Sequence, residues 1–209
     1  MDVMISIQPY WVFLIIAKSM GWNIRREKKL EVRKNFPKNK SWSKITKIYC
    51  TKNKESFAKI PKEYQPLMEG FLGKVVGEFV CDAIISHCEM ANADIAEQQG
   101  CIKREWLLEY SGGKELYGWH ISDLSIYDKP KSLWDFVKPG CPTEQELDDE
   151  LCSYCSRTDY GEKKGYSYPG GYVSCEGSYC SEAYDEYLED EWAIGRAPQS
   201  WCYCEVMPQ

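Results

Sequence analysis

Residues 26–37, Arg-Glu-Lys-Lys-Leu-Glu-Val-Arg-Lys-Asn-Phe-Pro, place the tightest constraint on this chain. Lys28, Glu31 and Arg33 surround the apolar pair Leu30 and Val32. In a strand over residues 28–33, side chains alternate between faces, so Glu31 and Arg33 share one face and Lys28 lies on the other. A turn or bulge at the start of the strand would instead bring Lys28 round beside Glu31. In both cases three charged groups lie within a few residues of one another. On a solvated edge strand such a pair contributes roughly 0–1 kcal/mol.

The rest of the chain arranges itself around this segment. Val3 to Ile7 reads as a short strand, and Pro9 suits the first turn of a helix that continues through the apolar run to Gly21. Pro37, Asn39 and Ser41 mark a loop, and Ile45 to Cys50 alternates as a strand. Residues 52–69, with Pro61 and Pro66, predict a loop with a short helix. Lys74 to Ile85 is β-rich, with Gly77 as a bulge position. Ile102 to Tyr110 has helical spacing, with Trp106 and Leu107 as its apolar contacts and Gly112-Gly113 as its end. Trp119 to Tyr127 predicts another strand, a short turn follows around Leu133 to Phe136, and Trp201 to Val206 returns to a strand pattern.

Composition shifts in between. Residues 141–192 carry 14 acidic and 3 basic side chains among many Tyr, Gly and Ser. They read as an acidic, Cys-rich insertion into a domain formed by residues 1–140 and 193–209. Within it, Cys152-x2-Cys155 and Cys175-x4-Cys180 form two close pairs that can converge as four thiolates around zinc. The glycine-rich loop between them, with Gly161, Gly165, Gly170 and Gly171, could bury little core, and metal ligation would supply the missing folding energy. Four thiolates indicate a structural, zinc-ribbon-like site, with Cys141 as an alternative ligand. The remaining cysteines show no ligand spacing, and His87 beside Cys88 has no partner pair.

The formal net charge of −6 hides an asymmetry, because residues 1–75 carry a net +10 and residues 76–209 a net −16. A basic half suits a polyanionic partner, or else attraction to the acidic half. The start Met1-Asp2-Val3 lacks the basic region of a signal peptide. The apolar run Trp11 to Ala17 is shorter than the ~20 residues that span a bilayer. These features predict a cytoplasmic protein with reduced thiols and no membrane partner.

Lys28-x-x-Glu31-x-Arg33, following an N-terminal strand and helix, resembles the signature of the ASCH family. Arg26 stands where the family pattern usually has Gly. Lys74-Val-Val-Gly-Glu-Phe-Val-Cys-Asp, Gly118-Trp-His-Ile-Ser-Asp-Leu-Ser-Ile-Tyr-Asp-Lys-Pro and Ala197-Pro-Gln-Ser-Trp-Cys-Tyr-Cys-Glu are similar to stretches of phage or mobile-element members, in the same order. The resemblance implies an α+β, PUA-like mixed β-barrel with flanking helices. It further implies a central cleft containing Gln8, Trp11, Lys28, Glu31, Arg33, Ser200 and Trp201, suited to RNA or a modified nucleotide. A Trp can stack on a base, a cation can hold phosphate, and Glu can accept from an exocyclic amine.

Two other functions stand beside the binding module. Some small ASCH members resemble amidohydrolases acting on an acetylated cytidine, with a Lys and a nucleophilic Thr in this strand. Here Lys28 is present and Glu31 occupies the Thr position, where a carboxylate is no simple substitute for a hydroxyl. Alternatively, the acidic insertion could bind a protein partner, as in a mobile-element factor. His120, within a predicted strand, reads as a structural, hydrogen-bonded histidine.

Overall fold

The computed structural model describes residues 1–39, 41–86, 93–141, 165–168, 171–174 and 192–207. The chain divides into two compact units: Met1–Leu133 with Arg196–Cys204, and Trp134–Gly195 with Glu205–Gln209. The class is α+β, strand-rich with a few short helices. Among the described residues, no helix is long and apolar enough to cross a membrane.

The first unit is built on β1 (Asp2–Ile7) and the helix that follows it, α1 (Pro9–Ile16). Pro9 opens α1 where its missing N–H costs nothing. Val12 to Ile16 are all buried, so this helix is covered around most of its circumference, as its almost wholly apolar sequence demands. It ends earlier than the apolar run suggests, at Ile16, and hydrogen-bonded turns carry the chain on to Gly21, whose φ of +70° ends them. The change comes where exposed Lys18 and Ser19 succeed the buried run.

β1 is a central strand. It pairs in parallel with β3 (Ile45–Cys50) and antiparallel with residues Trp201–Cys204 of β11 (Trp201–Val206). The C-terminal stretch thus completes the sheet of the first unit although the Cys-rich segment precedes it. β3 pairs antiparallel with β4 (Lys74–Val80), and β4 with β7 (Ser122–Lys131). A smaller sheet has β6 (Tyr117–His120) between β2 (Leu30–Arg33) and β5 (Ile84–Ile85). The continuous strands expected over residues 74–85 and 119–127 are each divided between these two sheets. The β4–β7 ladder gives way to the β5–β6 ladder across residues 81–83 on one strand and Ile121 on the other. Both strands therefore change sheets at the same corner, the usual way a strongly bent sheet curls toward a barrel.

Gly77 lies at the register shifts of β4 against both neighbours. A Cβ there would meet the Ser125 carbonyl oxygen at 2.3 Å, so the close approach of β7 requires glycine. Between β3 and β4 run two short helices, α2 (Lys54–Phe57) and α3 (Gln65–Glu69). Asn53 caps α2 by accepting from the Ser56 N–H at 2.7 Å. Between β5 and β6 lie α4 (Ala93–Gln98) and α5 (Arg104–Ser111), the latter closed by Gly112 in the left-handed conformation.

The main core gathers Val3, Ile5 and Ile7 of β1, the buried side of α1, Ile48, Phe79 and Trp119. Each such side chain contributes roughly 1.5–3 kcal/mol on burial. A second cluster joins Leu30 and Val32 of β2 to Ala96 and Leu107 of α4 and α5. Trp106 is not a core contact as its spacing suggests: it is half exposed, and Leu107 is the buried residue of that pair.

In the second unit, β8 (Phe136–Val137) pairs with Glu205 and Val206 at the end of β11, and Val137 also bridges Ala193. β9 (Gly165–Tyr168) and β10 (Gly171–Ser174) form an antiparallel pair. Cys152, Cys155, Cys175 and Cys180, together with His87 and Cys88, lie outside the described residues. Among the described residues there is no group of three or more His, Cys, Asp or Glu able to hold a metal.

One polar network sits on the opposite face of β3 from Ile48. Lys47, 5% exposed, holds Glu78 at 2.5 Å and Asp2 at 3.1 Å, and the Tyr127 hydroxyl donates to the same Glu78 carboxylate at 2.6 Å. Burial alone would raise the Glu78 pKa, but the hydrogen bonds from Lys47 and Tyr127 outweigh it and hold the carboxyl below its ordinary value. Burial alone would likewise lower Lys47, and its two carboxylate partners raise it instead. Because the folded pKa of Glu78 is depressed, its contribution is complete above the unfolded-chain value near 4.5 and is lost as pH falls through the folded value. Glu78→Gln is expected to cost about 1.5 kcal/mol at neutral pH, the low end for hydrogen bonds to charged groups because 31% of the side chain meets solvent. Denaturant melts at pH 7 and below pH 4.5 should show that cost shrinking with acid. A cost independent of pH would show that the carboxylate is not what Lys47 and Tyr127 hold.

Candidate functional site

The geometry begins with a helix end. The last carbonyls of α1 lack partners within the helix, and the Leu14 carbonyl accepts from the Lys28 N–H at 3.0 Å. On the next residues, the Lys29 and Leu30 N–H groups both donate to the Gln99 carbonyl. The strand therefore starts at Leu30, two residues later than alternation from Lys28 implies, and Lys28 turns to the side on which Glu31 projects. This is the turn alternative raised by the sequence. It is made without a left-handed residue at Arg26.

From Leu30 the alternation is regular. Leu30 and Val32 enter the second core cluster, and Glu31 and Arg33 take the other face. Arg33 donates to the Ser6 carbonyl at 2.5 Å and holds the Glu31 Oε1 at 2.9 Å. Lys28 Nζ lies 3.5 Å from Glu31 Oε2, donates to the Gly100 carbonyl at 2.8 Å and stands 5.0 Å over the Trp11 ring. All three charged side chains are buried: Lys28 is 2% exposed, Glu31 5% and Arg33 8%. A solvated edge pair is excluded by that burial.

Charges in such a place are costly unless fully paired. Burial drives the Lys28 pKa below its ordinary value of 10.5, and the nearby Glu31 carboxylate offsets this only in part. Two buried atoms of the cluster have no hydrogen-bond partner, Glu31 Oε2 and Arg33 Nε. One is an acceptor and the other a donor.

The cluster forms a wall of a cavity of about 210 Å³. Gln8, Trp11, Lys28, Glu31 and Arg33, five of the residues singled out from sequence, line it together with Ser6, Val32 and Ile102. Two further lining residues, Trp106 and Tyr110, come from α5. They are four apart, so they share one helix face, while Leu107 and Ser111 are buried on another. Their spacing was legible in the sequence, but the helix reads there as a core element. Each aromatic wall carries a lysine: Lys28 on Trp11, Lys59 at 5.7 Å from Trp106 and Lys34 at 5.0 Å from Tyr110.

The other two sequence-derived residues lie elsewhere. Ser200 lines a neighbouring groove that also contains Arg33, and its carbonyl accepts from the Ser6 N–H. Trp201 does not line this cavity or that groove. Its N–H donates to Asn35 Oδ1 at 2.8 Å, and its ring packs on Trp119 and Tyr203. His120 is hydrogen-bonded to Asp82 at 2.6 Å on the surface, a structural pairing that holds the Asp82 carboxyl below its usual value.

The cluster's charge balance yields a stability test. Lys28→Met removes a desolvated cation and leaves Glu31 paired with Arg33, so it should cost no more than about 1 kcal/mol, the value of one hydrogen bond. Glu31→Gln leaves two buried cations without a counter-charge and should cost about 3–5 kcal/mol. Thermal melts of the two variants should separate clearly. Equal losses would mean that Lys28 is as necessary to the fold as Glu31.

No family model matches the chain, and no curated protein does. Among solved structures it is similar to ASCH from Zymomonas mobilis, at 14% identity over 92% of this chain and 96% of that one, with a TM-score of 0.38. Two mutant forms of that protein match similarly: a tyrosine-to-phenylalanine form at 13% identity and TM-score 0.37, covering 92% of this chain and 99% of that chain, and a serine-to-alanine form at 14% and 0.38, covering 87% and 93%.

Proposed function

We propose that this chain is an ASCH-like module that binds RNA or a modified nucleotide, with a base seated in the cavity beside Lys28, Glu31 and Arg33. The observation that carries this reading is the pair of buried atoms without a hydrogen bond, Glu31 Oε2, which has only the Lys28 ammonium at 3.5 Å, and Arg33 Nε. A ligand edge with a donor next to an acceptor would satisfy both, and nucleobase edges carry that combination. The volume supports a single ring system: about 210 Å³ is below the roughly 300–1,000 Å³ of pockets for drug-sized ligands. Trp11, Trp106 and Tyr110 offer the apolar faces on which an unstacked base can rest.

The reading is tested by titrating the wild-type protein, Trp106→Ala and Glu31→Gln with a panel of unmodified and modified nucleosides and short RNAs. Trp106 is half exposed, so its replacement leaves the core intact. It should lose about 1–3 kcal/mol of binding through lost stacking. Glu31→Gln, measured where circular dichroism shows it folded, should weaken binding or change base preference. Binding unchanged in both variants would remove the cavity from consideration.

A hydrolase acting on an acylated nucleoside is the second reading, and the lowered pKa of Lys28 favours it. The lowering increases the share of neutral amine, the form that acts as base or nucleophile. This reading predicts turnover that is lost in Lys28→Met while the fold remains.

The insertion is proposed to carry a structural zinc on Cys152, Cys155, Cys175 and Cys180, in a cytoplasmic protein whose thiols stay reduced. Purified protein should contain about one zinc per chain, and chelation should raise hydrogen exchange in residues 141–192 more than elsewhere. Metal-free preparations with four reduced thiols and unchanged exchange would overturn it. An acidic-insertion contact with a protein partner remains the reading to test if the cavity binds nothing.

A further inference from the structure

We propose that Met4, Cys202 and Cys204 form a site for a soft monovalent metal ion of the Cu(I) class, on the face of the large sheet away from the main core.

The placement follows from strand alternation. Val3, Ile5 and Ile7 of β1 lie in the main core, and Trp201 and Tyr203 of β11 pack against it. The residues between them therefore project from the opposite face. The antiparallel register sets Met4 opposite Cys202 and Asp2 opposite Cys204. The charged network marks the same face: Lys47, in register with Met4 on the other side of β1, holds the Asp2 carboxylate at 3.1 Å.

Cys202 and Cys204 lack the spacing of a zinc pair, yet one residue apart in a strand they share a face. Their Cα atoms are then roughly 6.4–6.8 Å apart. That is the upper end of the disulfide range of roughly 4.4–6.8 Å, so the two thiols are poorly placed to close on each other. Directly opposed residues of antiparallel strands are nearer, about 4.5–5.5 Å between Cα atoms, which brings the Met4 thioether beside the pair.

This set of ligands selects the ion. Thiolate and thioether sulfurs prefer Cu(I), whereas oxygen ligands suit Mg and Ca. A structural zinc takes a full tetrahedron of ligands. Among the described residues no group of three or more His, Cys, Asp or Glu is able to hold a metal. Two thiols and a thioether are thus too few for zinc and sufficient for an ion that accepts a small number of soft ligands.

Burial gives the site an inside and an entrance. Met4 and Cys204 are fully buried, and Cys202 is half-buried. An ion arrives at Cys202 and is enclosed by the two inner sulfurs. Both thiols lose their protons as the ion binds. The product carries a net negative charge, and the Lys47 ammonium lies on the same face. As apolar filler the three residues would be replaceable by others of like volume; as ligands they are not.

The test reads the methyl NMR signal of Met4 in the reduced, full-length protein, assigned with Met4→Leu. The thiols proposed to hold zinc can take the same ions, so total bound metal is not the readout. Cu(I) added without oxygen, and Ag(I) as a redox-inert stand-in, should each shift the Met4 signal at a free-ion concentration fixed by a competing chelator. Cys202→Ala should raise that concentration by more than about 100-fold, because removing even a group that only supports a ligand costs roughly 10–100-fold. Cys204→Ala should do the same; if that variant fails to fold, the half-buried Cys202→Ala decides. A Met4 signal that neither ion moves overturns the site. So does an equal response in wild type and folded cysteine variants. Zn(II) shifting the signal at the same free concentration as Ag(I) overturns the soft-ion assignment.

Discussion

The Arg33 guanidinium bridges the Ser6 carbonyl and the Glu31 carboxylate, and the arrangement of the first unit depends on that bridge. Ser6 belongs to the central strand of the larger sheet, while Glu31 and Arg33 belong to the smaller one. The same serine makes two more bonds: its N–H donates to the Ser200 carbonyl, and its hydroxyl donates to the Pro198 carbonyl at 2.6 Å. One residue of β1 therefore ties together the charged strand and the C-terminal segment. One guanidinium nitrogen, with two N–H donors, makes both contacts.

Burying three charges for this purpose carries a cost that hydrophobic residues of similar volume would avoid. The cluster is incompletely hydrogen-bonded: Glu31 Oε2 has only the Lys28 ammonium at 3.5 Å, Arg33 Nε has no hydrogen bond, and both residues line a cavity. The network around Lys47 makes the contrast clear. There the lysine has two carboxylates and the glutamate a tyrosine hydroxyl as well, and the pKa shifts of Lys47 and Glu78 both favour the charged forms. At Lys28 the shift runs the other way. A satisfied ionic network stabilises the sheet, whereas an incompletely hydrogen-bonded one costs free energy where it is buried.

The apolar elements were readable from pattern alone, because their burial follows from composition and period. β1, β3, the body of α1 and the final strand are where the alternation and the apolar runs put them, and Gly77 sits at the bulge its place in a strand suggests. The misreadings share a cause. Residues 74–85 and 119–127 look like single strands because the period of two runs through the corner at which both change sheets. Trp106 looks like core because an aromatic at helical spacing usually is, and only the position of α5 beside the cavity turns that face outward.

What the sequence by itself determined is the set of charges in Lys28-x-x-Glu31-x-Arg33 and the apolar pair Leu30 and Val32, which makes this segment a strand with one buried face. The tertiary structure decided that the charges would be enclosed. The Leu14 carbonyl near the end of α1 accepts from the Lys28 N–H, turning Lys28 toward Glu31, and α5 adds Trp106 and Tyr110 to the cavity wall. Both contacts join segments far apart in the chain, and local periodicity carries no record of them. Trp201 illustrates the same limit, since its strand could be read from pattern while its ring was committed to Trp119 of β6 only by tertiary packing. Whether a charged triplet is a solvated edge or a buried site depends on what covers it, because the dielectric around a charge is set by neighbours in space.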